Sequence, residues 1–271
     1  MALDHDHPRP SESSAAPPPY SASHNHARHY DHYATSEPAP LYDAALAKPT
    51  VGKYPKVLNG YFSKGCNSNI YLGGRERERM FLMEQNGTFS GKPELVLHDG
   101  PKETDPVLAT SEGNSIIKPK NHQLTIPAQD GVPHEEKSQR VEMKSSSLFM
   151  RNNSYAFETD VGLGKETRRE RFEWRQTLGG EVEELEGYNW GWKLVRISSD
   201  SNGASSSSGA EEVVAAWTFD SSLSVTHSFR FQFLGHALTG LMGDRWATLT
   251  IMSALKIWAV SIHSSAVVVS K

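Results

Sequence analysis

The sequence predicts a mainly β protein in which a β-barrel closes around one late, apolar helix. The first observation is a series of short segments, from about residue 56 onward, in which apolar and polar residues alternate between Gly, Pro, Asn and Asp. The second is the stretch 244–262, whose apolar residues cover every side of a helix. Because such a helix has no polar face for solvent, it must be surrounded by other elements. Many strands with one terminal helix are typical of a barrel.

Residues 1–50 are predicted to form a disordered tail. The segment is rich in Pro, His, Ser and Ala and includes the run Pro17–Pro19. It cannot bury enough apolar surface to offset the entropy lost on ordering. Its histidines can in principle hold Zn²⁺ or Ni²⁺, but a solvated tail is the plainer interpretation. We therefore expect no metal site and no cofactor.

The remainder, 51–271, is predicted to be one barrel domain. Its clearest strand is 169–176, where Phe172 and Trp174 point one way while Arg171 and Glu173 point the other. The Ser/Gly-rich segment 198–210 predicts a flexible surface loop. The predicted strands are 57–62, 68–72, 79–84, 94–98, 106–110, 114–118, 122–126, 139–143, 147–151, 154–158, 169–176, 190–197, 212–219 and 226–234.

The stretch 244–262 predicts a helix inside protein rather than inside lipid. A membrane span needs about 20 apolar residues, and this segment contains Lys256 and runs into His263 and Ser264. An ammonium group costs about 3 kcal/mol at the centre of a membrane, whereas at a barrel mouth or between strands it can snorkel or pair. A membrane-inserted or tail-anchored protein that uses helix 244–262 is the alternative.

Charge and motif content exclude several classes of function. The net charge of −4 and the pI of about 6.3 provide no global attraction to nucleic acid. The one cysteine, Cys66, cannot form an internal disulfide and fits a reducing compartment, so we expect a cytoplasmic protein. The early acids Asp4 and Asp6 argue against a secretory signal. The sequence has no P-loop, dinucleotide fingerprint, HExxH or Gly-x-Ser-x-Gly motif, and we expect a protein that is not an enzyme.

One set of cations is the candidate ligand-binding site. Guanidinium groups bind phosphate oxygens in pairs, so a basic face on neighbouring strands can hold anionic lipid. Glu166, Glu170, Glu173 and the acidic segment 181–186 could instead neutralise this face through ion pairs. The predicted cations are Arg168, Arg169, Arg171 and Arg175 on one strand and Lys193 and Arg196 on the next.

The pair His98–Asp99 offers a different interpretation. A histidine beside an acid can act as a general base, which would place a small enzyme site at a barrel mouth. The continuation Gly100–Pro101 is, however, first of all a turn sequence.

Four runs of residues resemble proteins of the tubby C-terminal-like group, which includes the LURP-one-related proteins and the phospholipid scramblases. The resemblance is to small fungal members of the group and covers about residues 55–260. It implies a barrel of about twelve strands threaded by a C-terminal apolar helix, and it transfers no site residue. The runs are PELVLHDGP at 93–101, ERFEWR at 170–175, GWKLV at 191–195 and SALKIW at 253–258.

Together these observations predict a non-enzymatic intracellular binding module. Its expected ligand is phospholipid or phosphoinositide, or else a protein partner, and it would lie in the cytoplasm or peripherally at membranes.

Overall fold

The computed structural model describes residues 50–62, 69–75, 78–87, 90–113, 121–128, 137–146, 153–164, 166–185, 187–197, 211–219 and 227–269. Several predicted features lie outside these residues, namely the tail apart from Thr50, the loop 198–210, the strands 114–118 and 147–151, and Cys66.

Twelve antiparallel strands form a closed barrel, which confirms the predicted fold class. Each strand pairs with the next in the chain, and the last pairs with the first to close the wall. The barrel strands are β3 (Val57–Phe62), β4 (Ile70–Gly73), β5 (Phe81–Gln85), β6 (Leu95–His98), β7 (Val107–Gly113), β8 (Asn121–Ile126), β9 (Gln139–Ser145), β10 (Ser154–Val161), β11 (Arg168–Thr177), β12 (Gly191–Ile197), β13 (Glu212–Thr218) and β14 (His227–Phe233).

The sequence did not predict a small hairpin that precedes the barrel. Strands β1 (Thr50–Val51) and β2 (Tyr54–Pro55) form a separate sheet of two strands. Such short strands show no periodicity, and this hairpin is fixed by long-range contacts instead. The Tyr54 hydroxyl lies 2.7 Å from the Thr248 hydroxyl, and its ring centroid lies 5.0 Å from that of Phe81.

The terminal helix α2 (Asp244–Val269) lies inside the barrel. Every residue from Trp246 to Ala259 is buried, as expected for a helix that is apolar on all sides. The inward side chains of the strands pack around it; Phe172 of β11, for example, lies 5.7 Å from Trp246 between ring centroids. In the part of the chain that the structure describes, no helix is long and apolar enough to cross a membrane.

The barrel has two ends, named here by the course of α2. At the start end, α2 begins beside the loop that joins β10 and β11, where the Gly162 amide donates a hydrogen bond to the Met242 carbonyl. A 3₁₀ helix, Gly235–Thr239, also lies before this point in the chain. At the far end, Trp258 packs against Phe62, with 6.0 Å between ring centroids. A short helix α1 (Gly180–Glu183) follows β11 outside the wall.

Candidate functional site

Strand β11 presents two different faces, as its alternation predicted. Phe172 and Trp174 point inward and are fully buried. The indole Nε1 of Trp174 donates a hydrogen bond of 2.8 Å to the Ser253 hydroxyl on α2. Because a shift by one residue would turn this indole toward solvent, the contact fixes which residues of β11 face outward. Arg169 and Arg171 are therefore placed on the outer face.

Two predicted cations, Arg168 and Arg196, do not belong to that outer face. Arg196 is opposite Phe172 in the register, so both residues share the inward parity, at the start end of the barrel. Its guanidinium donates to Glu170 at 2.6 and 2.7 Å and to Glu212 at 3.3 Å. Arg168 is also paired with Glu170. Partial burial acts to raise the pKa of Glu170, but the hydrogen bonds from Arg196 and Arg168 outweigh it and lower that pKa.

Arg175 and Lys193 lie on the outer face but are held by carboxylates. Arg175 is 3.0 Å from Glu173 and 2.7 Å from Glu211, and Lys193 is 3.1 Å from Glu181. The hydrogen bond to Glu211 raises the pKa of Arg175, because its effect exceeds the opposing effect of partial burial. The acidic residues of the alternative interpretation thus neutralise four of the six predicted cations, since Arg168 and Arg196 are also paired.

Arg169 and Arg171 are the least constrained of the six. Arg169 is 3.6 Å from Asp160, and both side chains are more than half exposed. Arg171 is opposite Glu158 in the register, and among the described residues it has no ion pair within bonding distance. An exposed pair of this kind contributes about 0–1 kcal/mol, so a ligand can displace it at little cost.

These two arginines line a groove together with Lys144 of β9. We call this cavity of about 310 Å³ the cationic groove; Glu142, Glu158 and Phe157 also line it. The groove lies along the contact between β9 and β10, which pair at only two positions, Tyr155 with Ser145 and Ala156 with Lys144. Lys144 was not among the predicted cations, because its position beside the two arginines depends on this distant register. The exposed alternation of Arg140, Glu142 and Lys144 was the available signal.

His98 is part of a buried cluster on the outer side of β6. It is 3% exposed, and its Nδ1 donates to the Asp105 carbonyl at 3.0 Å. Its Nε2 lies 3.3 Å from Glu84, which also pairs with Lys92 at 3.0 Å. Both ring nitrogens are thus occupied, and His98 holds the loop 99–106 against the wall. The described residues contain no group of three or more His, Cys, Asp or Glu side chains that could hold a metal ion.

The far end of the barrel interior contains a cluster of polar groups that was not predicted from the sequence. The Lys256 amine, only 2% exposed, lies 2.6 Å from a carboxylate oxygen of Glu94. Burial lowers the pKa of Lys256, because its effect exceeds the opposing effect of the Glu94 carboxylate. His122 is 4% exposed, and neither of its ring nitrogens has a hydrogen-bond partner among the described residues. Burial, together with the nearby charge of Lys256, lowers the pKa of His122 to about 4.

Comparison of this chain with protein-family models, with curated proteins and with solved structures found no match.

Proposed function

We propose that this protein is a non-catalytic binding module for the phosphate-bearing head groups of anionic phospholipids. The observation that carries the proposal is the cationic groove, in which Lys144, Arg169 and Arg171 line one cavity. The other predicted cations are occupied by carboxylates, so this groove is where the outer face of β11 retains available positive charge.

The charges and geometry of the groove suit a phosphate group. Three cations stand against two lining carboxylates, Glu142 and Glu158. The Lys144 amine is 3.4 Å from Glu142, and both side chains are exposed, which makes this pair weak. A phosphate monoester carries close to two negative charges and can accept paired hydrogen bonds from a guanidinium. It would therefore replace weak surface pairs with stronger, charge-assisted bonds.

The fold supports the same proposal. A twelve-stranded barrel with an apolar helix inside is what the resemblance to tubby C-terminal-like proteins implies, and we propose membership of that group. A binding site on the outer wall does not require the helix to leave the barrel. The protein would accordingly act peripherally at the cytoplasmic side of membranes.

Sedimentation of the full chain with liposomes tests this function. The liposomes contain phosphatidylcholine alone, or with phosphatidylserine, or with a phosphoinositide, at about 50 and 200 mM salt. We expect salt-sensitive binding that requires anionic lipid and that the Arg169→Ala/Arg171→Ala variant loses by about tenfold or more. Competition by a soluble inositol phosphate would show that the head group itself is bound.

The matched control removes two other arginines from the same strand. Arg168→Ala/Arg175→Ala changes the net charge equally, but both residues are held by carboxylates. Binding should weaken much less in this control than in the Arg169/Arg171 variant. Equal losses of liposome binding in the two variants would mean that binding depends on net charge alone and not on the cationic groove. An absence of binding by the folded protein would refute the lipid proposal.

A further inference from the structure

A second groove lies on the outer face of β11 toward the far end of the barrel. We call this cavity of about 950 Å³ the aromatic groove; Arg175, Lys193, Asn153, Leu178 and Trp190 are among the residues that line it. Its floor is formed by outward residues of β11 and β12, and the loop 178–190 borders it. It is about three times larger than the cationic groove, and its volume is in the range of sites that hold ligands.

The bordering loop presents apolar side chains to solvent. Leu178 is 76% exposed, Tyr188 is 48% exposed and Trp190 is 41% exposed. Trp190 is held in this position because its ring packs 5.2 Å from Phe219 and its carbonyl accepts a 2.7 Å bond from the Thr218 hydroxyl. Exposed aromatic and aliphatic groups that are fixed beside a groove mark interaction sites, because they bind without first paying an ordering cost.

The same loop is acidic, which determines the charge of the partner. Residues 178–190 include four glutamates and neither lysine nor arginine. Glu183 and Glu184 are exposed, and among the described residues neither forms an ion pair. They are held outward because Val182 and Leu185 are buried against Ala216 on the barrel wall. The Arg230 guanidinium also donates to the Leu185 carbonyl at 2.9 Å, which fixes this segment.

From these observations we infer that the aromatic groove docks an extended, basic segment of a partner protein. Lysine or arginine side chains of that segment pair with Glu183 and Glu184, and their apolar stems pack on Leu178 and the Trp190 ring. The inference is independent of lipid binding, since it uses a different groove, whose lining cations Arg175 and Lys193 are already paired with carboxylates.

Fluorescence anisotropy with synthetic peptides tests the inference. The full chain is titrated into three sets of short peptides with the same leucine content, whose other positions are Lys, Ser or Glu. We expect the Lys set to bind, the Ser set to bind more weakly and the Glu set not to bind. Truncation of a central aromatic residue removes much of an interface's affinity, so Trp190→Ala should weaken binding of the Lys set about thirtyfold.

Charge and position controls make the result specific. Glu183→Lys/Glu184→Lys should weaken binding of the Lys set about tenfold, whereas Glu112→Lys/Glu166→Lys, with the same net charge, should not. Leu178→Ala should weaken it, while Leu241→Ala, which truncates another largely exposed leucine at the start end, should have no effect. Arg169→Ala/Arg171→Ala should retain peptide binding, which separates this inference from the lipid proposal. Binding of the Glu set at equal strength, or of no set, overturns it.

Discussion

Lys256 and Arg169 are both cations beside a carboxylate, yet they occupy opposite environments. Lys256 is 2% exposed inside the barrel and 2.6 Å from Glu94, whereas Arg169 is 55% exposed on the wall and 3.6 Å from Asp160. Losing its partner would leave the buried ammonium uncompensated, while the exposed guanidinium would simply be hydrated. The comparison separates charges that the fold depends on from charges that remain available to a ligand.

The largest change in the free energy of unfolding should come from removing only one member of the buried Lys256–Glu94 pair. Glu94→Ala leaves the Lys256 ammonium buried without its carboxylate and should lower the free energy of unfolding by about 3 kcal/mol. Lys256→Met should cost less, because Glu94 is 35% exposed and can be hydrated. Urea unfolding of both variants measures the difference. If Lys256→Met is the more destabilising variant, the Lys256 ammonium does not depend on its partner more than the Glu94 carboxylate does.

His122 offers a pH-dependent version of the same test. Its pKa of about 4 in the folded protein lies below the unfolded value of about 6.5, so only the unfolded chain binds a proton between these values. Stability should therefore fall as the pH drops from about 6.5 to about 4, by about 3 kcal/mol in total. His122→Phe keeps a ring beside Tyr155 and should remove this component. Identical pH profiles of variant and parent protein would contradict the assignment.

Residues that depend on local alternation were predictable from the sequence. Phe172 and Trp174 alternate with charged residues, and the helix that is apolar on all sides could only be interior. The inward position of His122 was readable in the same way, because it shares its parity in β8 with Leu124 and Ile126.

Features that depend on distant pairing were not predictable. Glu94 and Lys256 are 162 positions apart, and nothing in either local sequence selects the other. Lys144 reaches the two arginines of the cationic groove only through the register of β9 with β10. The predicted strand 190–197 began with Trp190, but β12 begins one residue later, and the Trp190 ring packs on Phe219 while remaining 41% exposed. Tertiary contacts decided each of these positions.

A smaller effect is expected for an interior hydrogen bond without charge. The Ser253 hydroxyl accepts from Trp174 at 2.8 Å and donates to the Thr250 carbonyl at 2.8 Å. Ser253→Ala leaves the buried indole N–H without its acceptor and should lower the free energy of unfolding by about 1–2 kcal/mol. Trp174→Phe/Ser253→Ala removes both partners, so the loss specific to the hydrogen bond can be obtained from a double-mutant cycle.

The smallest effect should come from the exposed arginines of the cationic groove. Arg169→Ala/Arg171→Ala removes one weak ion pair and no buried contact, so the free energy of unfolding should change by less than about 0.5 kcal/mol. Urea unfolding at low salt, where surface charges act most strongly, gives the upper limit of this change in the free energy of unfolding. A loss comparable to that of Glu94→Ala would make these arginines structural. An unchanged stability, combined with lost liposome binding, would mean that their charge serves the ligand rather than the barrel.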